Sequence, residues 1–320
     1  MKNSTLIKSI LLHSGVIAFL FILQFFLPEY HHLTITRVMI LAVFAMGYNL
    51  LFGYVGLLSL GHAMFFSAGL YTAGMTTYHL GWSVPAAFGA GIAVGAGVSV
   101  IIGAVALRTT GVAFMIVTLM FSQTAYLATL YFTTYTRGDE GLVLPEAARS
   151  FDIFGYMVDL ANPGTRYNIA LILLAITMLI IFILVRSATG RALVAIRENE
   201  ARTQMLGYNT FAIKLKALTI SGTLSAASGA AYALLFAYVG STFATIQYSI
   251  DALLFTLLGG AGTVLGPIVG TFMMFFMIDI ASEYTAAYLL VTGIVLIILV
   301  LYFPKGILGA IKERWIKWLP

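Results

Sequence analysis

Apolar residues fall in long runs separated by short polar connections. The first run, Ile10 to Leu27, follows Lys2 and Lys8, and further runs cover about 35–52, 62–80, 84–106, 110–132, 167–185, 217–239, 249–262, 264–280 and 284–303. At roughly 20 apolar residues per crossing, these ten stretches predict ten transmembrane helices. The first resembles a signal peptide, but its run is long, and Leu27, Pro28, Glu29 and Tyr30 offer no small-residue cleavage site. It is therefore expected to remain as a first span with the N-terminus inside.

Two of the runs contain helix breakers. Between Asp251 and Ile280 the chain carries Gly259, Gly260, Gly262, Gly266 and Pro267, too many for one continuous helix. A turn near 260–264 and two short helices are expected, with a single long tilted span or a re-entrant loop as the alternatives. A second break, at Gly53, Gly56 and Gly61, separates the second and third spans. The two breaks do not align as a sequence repeat.

Composition agrees with the pattern: 61% of the 320 residues are hydrophobic and 9% charged, so a water-facing surface cannot be assembled. The fold class expected is an all-α polytopic membrane protein forming one transmembrane domain over residues 1–320. With no cysteine in the chain, disulfides, thiol catalysis and thiolate metal sites are excluded. A net charge of +5 would suit nucleic acid in a soluble protein, but in a membrane protein it reports which loops face the cytoplasm.

Charge then orients the chain. Residues 186–216 carry Arg186, Arg191, Arg197, Arg202, Lys214 and Lys216 against Glu198 and Glu200, which predicts a cytoplasmic loop. Residues 133–166 carry Arg137, Arg149 and Arg166 against Asp139, Glu140, Glu146, Asp152 and Asp159, which predicts an extracytoplasmic loop. The tail, with Lys305, Lys312, Arg314 and Lys317 against Glu313, is expected inside. Six spans before the basic loop and four after it satisfy these assignments, with both termini cytoplasmic.

Chemistry is sparse inside the predicted bundle. His13, Arg37, Asp251, Asp279 and Glu283 lie near span ends, leaving His62, at a helix break, as the candidate for mid-depth proton chemistry. A lone histidine there reads first as a hydrogen-bonded structural residue and second as a relay or ligand. The sequence offers no cluster of metal ligands, no nucleophile with an evident base, and no Walker A pattern. A non-catalytic protein without metal or cofactor is expected, its energy supplied by another polypeptide. Small residues at helical spacing, Gly91 with Gly95, Ala93 with Gly97, and the series Ser221, Ser225, Gly229 and Ala233, predict helix-packing faces. The basic stretch GRALVAIRENEARTQMLG, 190–207, interleaves Leu193, Ile196, Ala201, Met205 and Leu206 with charges and stops at Gly207. It predicts an amphipathic helix that either lies on the inner leaflet or docks a cytoplasmic partner.

At these residues the sequence resembles the LivM-type permeases of branched-chain amino acid ABC importers. The resemblance is carried by GYVGLLSLGHAMFFSAGLYTA at 53–73, LRTTGVAFMIVTLMFSQ at 107–123, RGDEGL at 137–142, GRALVAIRENEARTQMLGYN at 190–209 and LGGAGTVLGPIVG at 258–270. It implies a bacterial inner-membrane permease subunit that pairs with a second, homologous permease. It further implies two cytoplasmic ATPases that bind the ATP and an extracytoplasmic binding protein that delivers leucine, isoleucine or valine. The basic loop would then be the coupling element, with Arg191, Arg197, Glu198, Glu200, Ala201 and Gly207 facing the ATPase. Gly207 lies one position later than the family's common spacing, and Arg137, Asp139 and Glu140 depart from its usual outer motif. The unwound breaks suggest a solute path near Asn49, Ser59, His62 and Thr263. Rival readings are the same architecture carrying urea, short amides or other amino acids, an ion-coupled secondary transporter, and a membrane enzyme or scaffold.

Overall fold

The computed structural model describes residues 2–145, 149–153, 155–285, 287–303 and 305–314; Glu146 of the acidic loop and Lys317 of the basic tail lie outside them. The chain opens with α1 (Lys2–Leu23) and α2 (Glu29–Asn49), which runs without interruption into a π-helical turn, Leu50–Val55. α3 (His62–Leu80), α4 (Val84–Ala106), α5 (Gly111–Tyr131) and the single turn α6 (Thr133–Thr136) follow. Three short strands, β1 (Leu142–Val143), β2 (Ser150–Ile153) and β3 (Tyr156–Asp159), lead to α7 (Pro163–Arg186). Next come α8 (Ala188–Glu198), α9 (Glu200–Met205), α10 (Thr210–Phe236), β4 (Tyr238–Val239) and a 3-10 turn, Ser241–Ala244. α11 (Ile246–Gly259), α12 (Gly266–Tyr284), α13 (Tyr288–Tyr302) and α14 (Gly306–Arg314) complete the described chain.

Each of the ten apolar stretches holds a helix. Seven helices are long and apolar enough to cross a bilayer: α1, α2 with its π turn, α4, α5, α7, α10 and α12. The other three fall short of that standard. α11 and α13 are 14 and 15 residues long, and α3, though continuous, carries the polar residues His62, Ser67, Thr72, Thr76, Thr77 and His79.

α2 and α10 form the centre. α10 lies against α2, α3 and α4, while α7, α11 and α12 pack around α2. Lipid supplies no hydrophobic force between helices, so the backbones must approach closely or exchange hydrogen bonds. Both occur. A Cβ placed on Gly229 of α10 would fall 1.9 Å from the Phe66 carbonyl oxygen of α3. On α4, Gly91 and Gly95 are buried against Ala230 and Ala226, whereas Ala93 and Gly97 face outward, so only the first of those two small-residue pairs packs. Hydroxyls then bridge to the α2 backbone: Ser228 Oγ donates to the Ile40 carbonyl (2.6 Å) and Ser221 Oγ to the Gly47 carbonyl (2.5 Å). Phe44, Phe66, Tyr232, Phe243 and Tyr248 fill the space between with ring contacts of 4.8–6.1 Å.

The segment after α10 differs from the expected straight run through residue 239. The helix ends at Phe236, Ala237 turns left-handed (φ 54°), and an irregular stretch with Val239, Gly240, Ser241 and Ala244 buried leads to α11. Irregular backbone at depth requires internal partners. β1 supplies them, pairing antiparallel with β4 through Leu142 opposite Val239 and Val143 opposite Tyr238, while the Leu144 amide donates to the Ala237 carbonyl (2.9 Å). β2 and β3 form a separate hairpin.

Candidate functional site

The basic loop is built from two helices rather than one. Ser187 caps α8 by accepting from the Gly190 amide (3.2 Å), and Leu193 and Ile196 bury the inner face of that helix. The expected single helix over 190–207 breaks at Asn199, whose extended backbone (φ −161°, ψ 101°) lets its side chain accept from the Arg202 amide (2.9 Å) and start α9. Asparagine favours this role because its short amide competes with the helical hydrogen bond. Gly207 (φ 87°) stops the helix, and Asn209 caps α10 through the Ala212 amide (3.0 Å).

The charged residues of this loop divide by partner. Arg191 is exposed and donates to the Arg186 carbonyl (3.3 Å). Glu200 pairs with Lys214 of α10 (2.6 Å), and the lysine is buried. Ala201 and Gly207 are exposed, and a Cβ on Gly207 would meet nothing within 4 Å. Beyond them Met205 is 82% exposed and Leu206 72%, with Tyr208 beside them, so the tip of the loop offers an uncovered apolar knob.

Arg197 reaches back toward the bundle, although its side chain stays 38% exposed. Its Nη1 donates to the Gly53 carbonyl in the π turn of α2 (2.6 Å), while Nη2 donates to Glu198 (3.0 Å). Four residues before Gly53, Asn49 closes a second contact: its Nδ2 donates to the Thr263 carbonyl (2.9 Å) and its Oδ1 accepts from the Gly262 amide (2.9 Å). The two glycine-rich breaks, some 210 residues apart, thus meet across one asparagine. Gly53 is required there, because a Cβ would fall 2.1 Å from Asn49 Oδ1 and 2.3 Å from the Gly262 nitrogen. In the second break Gly259 lies against Gly266, where a Cβ would come within 1.7 Å of the carbonyl oxygen, which folds α11 and α12 into a tight antiparallel pair with Gly260 and Gly262 in the turn. Thr263 bridges that turn, donating to the Gly260 carbonyl (2.8 Å) and accepting from the Gly266 amide (3.1 Å).

The first break is held equally closely. After Gly56 (φ 80°) the chain runs unwound to Gly61, Ser59 Oγ accepts from the Gly61 amide (3.2 Å), and the Ser59 carbonyl accepts from Tyr48 (3.0 Å). His62 begins α3, fully buried, with Nε2 2.8 Å from Ser221 Oγ. Since the Ser221 hydroxyl donates to Gly47, Nε2 must be the donor to Ser221, which leaves Nδ1 unprotonated and without a partner. Asn49, Ser59, His62 and Thr263 are therefore all buried and all engaged with the bundle.

At the opposite end, Arg137 adopts a left-handed backbone (φ 57°) and donates to the Tyr78 hydroxyl (2.7 Å), and Asp139 accepts from Ser241 (3.0 Å). Sequence reasoning missed Lys214 and Ser221 as partners of Glu200 and His62. Neither pair follows a helical or strand period, so only the folded chain brings them together.

A bundle of long apolar helices locked by glycine and hydroxyl contacts, with irregular backbone buried inside it, defines a multi-pass membrane protein. The chain belongs to the family described as branched-chain amino acid transport system / permease component, which matches residues 32–300. It is similar to the high-affinity branched-chain amino acid transport system permease protein LivM of Salmonella typhimurium, 27% identical over 87% of this chain and 70% of the relative. It is also similar to LivH of Escherichia coli, 25% identical over 84% of this chain and 91% of the relative. A match over a shorter stretch is the ribose import permease protein RbsC of Haemophilus influenzae, 31% identical over 50% of this chain and 54% of that protein. No solved structure matches the chain.

Proposed function

We propose that this chain is one permease subunit of an ABC importer that carries leucine, isoleucine and valine across a bacterial cytoplasmic membrane. The observation that carries the reading is the family match over 32–300, which covers both breaks and the basic loop. The likeness to both LivM and LivH supports assembly of two homologous permeases. Two ATPases supply the energy from the cytoplasm, and a binding protein delivers the cargo from outside. The permease itself performs no bond chemistry.

In this reading all ten helices cross or enter the bilayer, with both termini and residues 186–216 cytoplasmic and residues 133–166 outside. The exposed knob of Met205, Leu206 and Tyr208 suits insertion into an ATPase groove, with Arg191, Ala201 and Gly207 at its rim. Asn49, Ser59, His62 and Thr263 hold unwound backbone at the inner end of the solute path. Their engagement with the bundle supports a structural part in that path over direct contact with cargo.

Reconstitution of the complete importer in liposomes tests the proposal. ATP-driven uptake of labelled leucine is expected, with none by this subunit alone on an ion gradient. A cognate binding protein that ignores the three branched-chain amino acids and binds urea would overturn the cargo. Accumulation by the subunit alone would overturn the mechanism.

A further inference from the structure

Two backbone breaks distant in sequence meet at one arginine side chain. Arg197 lies in the last turn of α8, and its Nη1 bonds the Gly53 carbonyl of the π turn. Gly56 rests on the stem of the same side chain, where a Cβ would come within 2.7 Å of Cγ. Gly262 of the second break brings its backbone so close that a Cβ would lie 3.2 Å from Nη1. Asn49 closes the assembly, bonding Gly262 and Thr263 from within α2.

We propose that Arg197 and Asn49 fasten the end of α8 and both helix breaks into a single joint, through which movement of the coupling loop reaches the membrane helices. The inference rests on the ABC-permease reading and assigns Arg197 a different task from its neighbours. Arg197 is a positioning residue that acts inward on the breaks, while the exposed tip beyond α9 receives the partner. The geometry gives the reason. α8 is seated on the bundle by Leu193 and Ile196, so a push on the tip turns α8 about that seat and carries Arg197 with it. Gly53 is bonded to Arg197 and crowded against Gly262, so displacing it displaces the turn between α11 and α12. A π turn suits the hinge position, because its wider hydrogen bonding is frequently found at functional sites.

The test compares the complete importer in liposomes as wild type, Arg197→Ala, Arg197→Lys, Asn49→Ala and the double Arg197→Ala/Asn49→Ala. The quantity read is leucine transported per ATP hydrolysed, which a loss of folded protein would leave unchanged. Arg197→Ala and Asn49→Ala are each expected to lower that ratio about tenfold, the scale of one lost charge-assisted or buried hydrogen bond, while ATP hydrolysis continues. The double variant is expected to be no worse than the more severe single, because both break the same joint. Lysine, whose compact ammonium keeps the charge but lacks the planar fork, is expected to restore part of the ratio. An unchanged ratio in Arg197→Ala, a proportional fall of uptake and hydrolysis together, or multiplicative losses in the double variant would each overturn the joint. A wild-type importer without ATP-driven leucine uptake would overturn the functional reading instead, and it is recognised before any variant is made.

Discussion

The central and outer helices invert the rule that holds in water. Of the crossing segments, those of α2 and α10 are 89% and 83% buried, whereas those of α1 and α5 are each only 17% buried, although α1 is the more apolar of the first three. In a soluble protein the most apolar helix would be the most hidden. Here lipid accepts apolar side chains as readily as the core does, and what separates inside from outside is the capacity for close contact. α10 carries Ser221, Ser225, Ser228 and Gly229 on buried positions, and α2 offers its carbonyls to them. α5 presents Val112, Ile116, Met120 and Leu127 outward.

The largest effect should come from filling a close contact. Gly229→Leu would drive a side chain into the Phe66 carbonyl and is expected to destabilise the subunit by about 3 kcal/mol or more, whereas Gly97→Leu on the outward face of α4 should change stability by less than about 0.5 kcal/mol. Equal unfolding midpoints in detergent for the two variants would break the distinction between centre and rim. An intermediate effect is expected at Glu200, where replacement by alanine strands buried Lys214. A loss of about 2 kcal/mol is expected, below that of a fully buried pair because Glu200 is partly exposed. Restoration by the companion change Lys214→Met would identify the stranded charge as the cause. The smallest effect belongs to Ser228→Ala, which removes one bond to the α2 backbone at about 0.6 kcal/mol. Ile116→Ala on exposed α5 should fall below even that, and a larger loss there in the isolated subunit would place α5 in the core.

The positions of the helices were legible because a 20-residue apolar run has few alternatives. The second break was legible too, since Gly259, Gly260, Gly262, Gly266 and Pro267 are too many breakers for one continuous helix. Ranking the helices by burial was not, because apolar content is uninformative in lipid. The loop at 190–207 was readable as amphipathic, but Asn199 divides it, and the same residue type could have stayed exposed mid-helix. Nothing in the spacing of Asn49 and Thr263, or of Arg197 and Gly53, announces their contacts. Arg197 looked like one more exposed basic residue, and only the fold shows its Nη1 reaching the Gly53 carbonyl.

The shortness of α11 carries a consequence for permeation. Its 14 residues span about 21 Å, well under the roughly 30 Å of a hydrocarbon core, and polar backbone closes it at both ends, in the irregular segment 237–245 and in the turn 260–265. Were α11 to lie in a bilayer, the polar backbone at its two ends would bring the two interfaces closest together alongside it. A zwitterion crossing there would meet a shorter dielectric barrier than anywhere the long helices set the thickness.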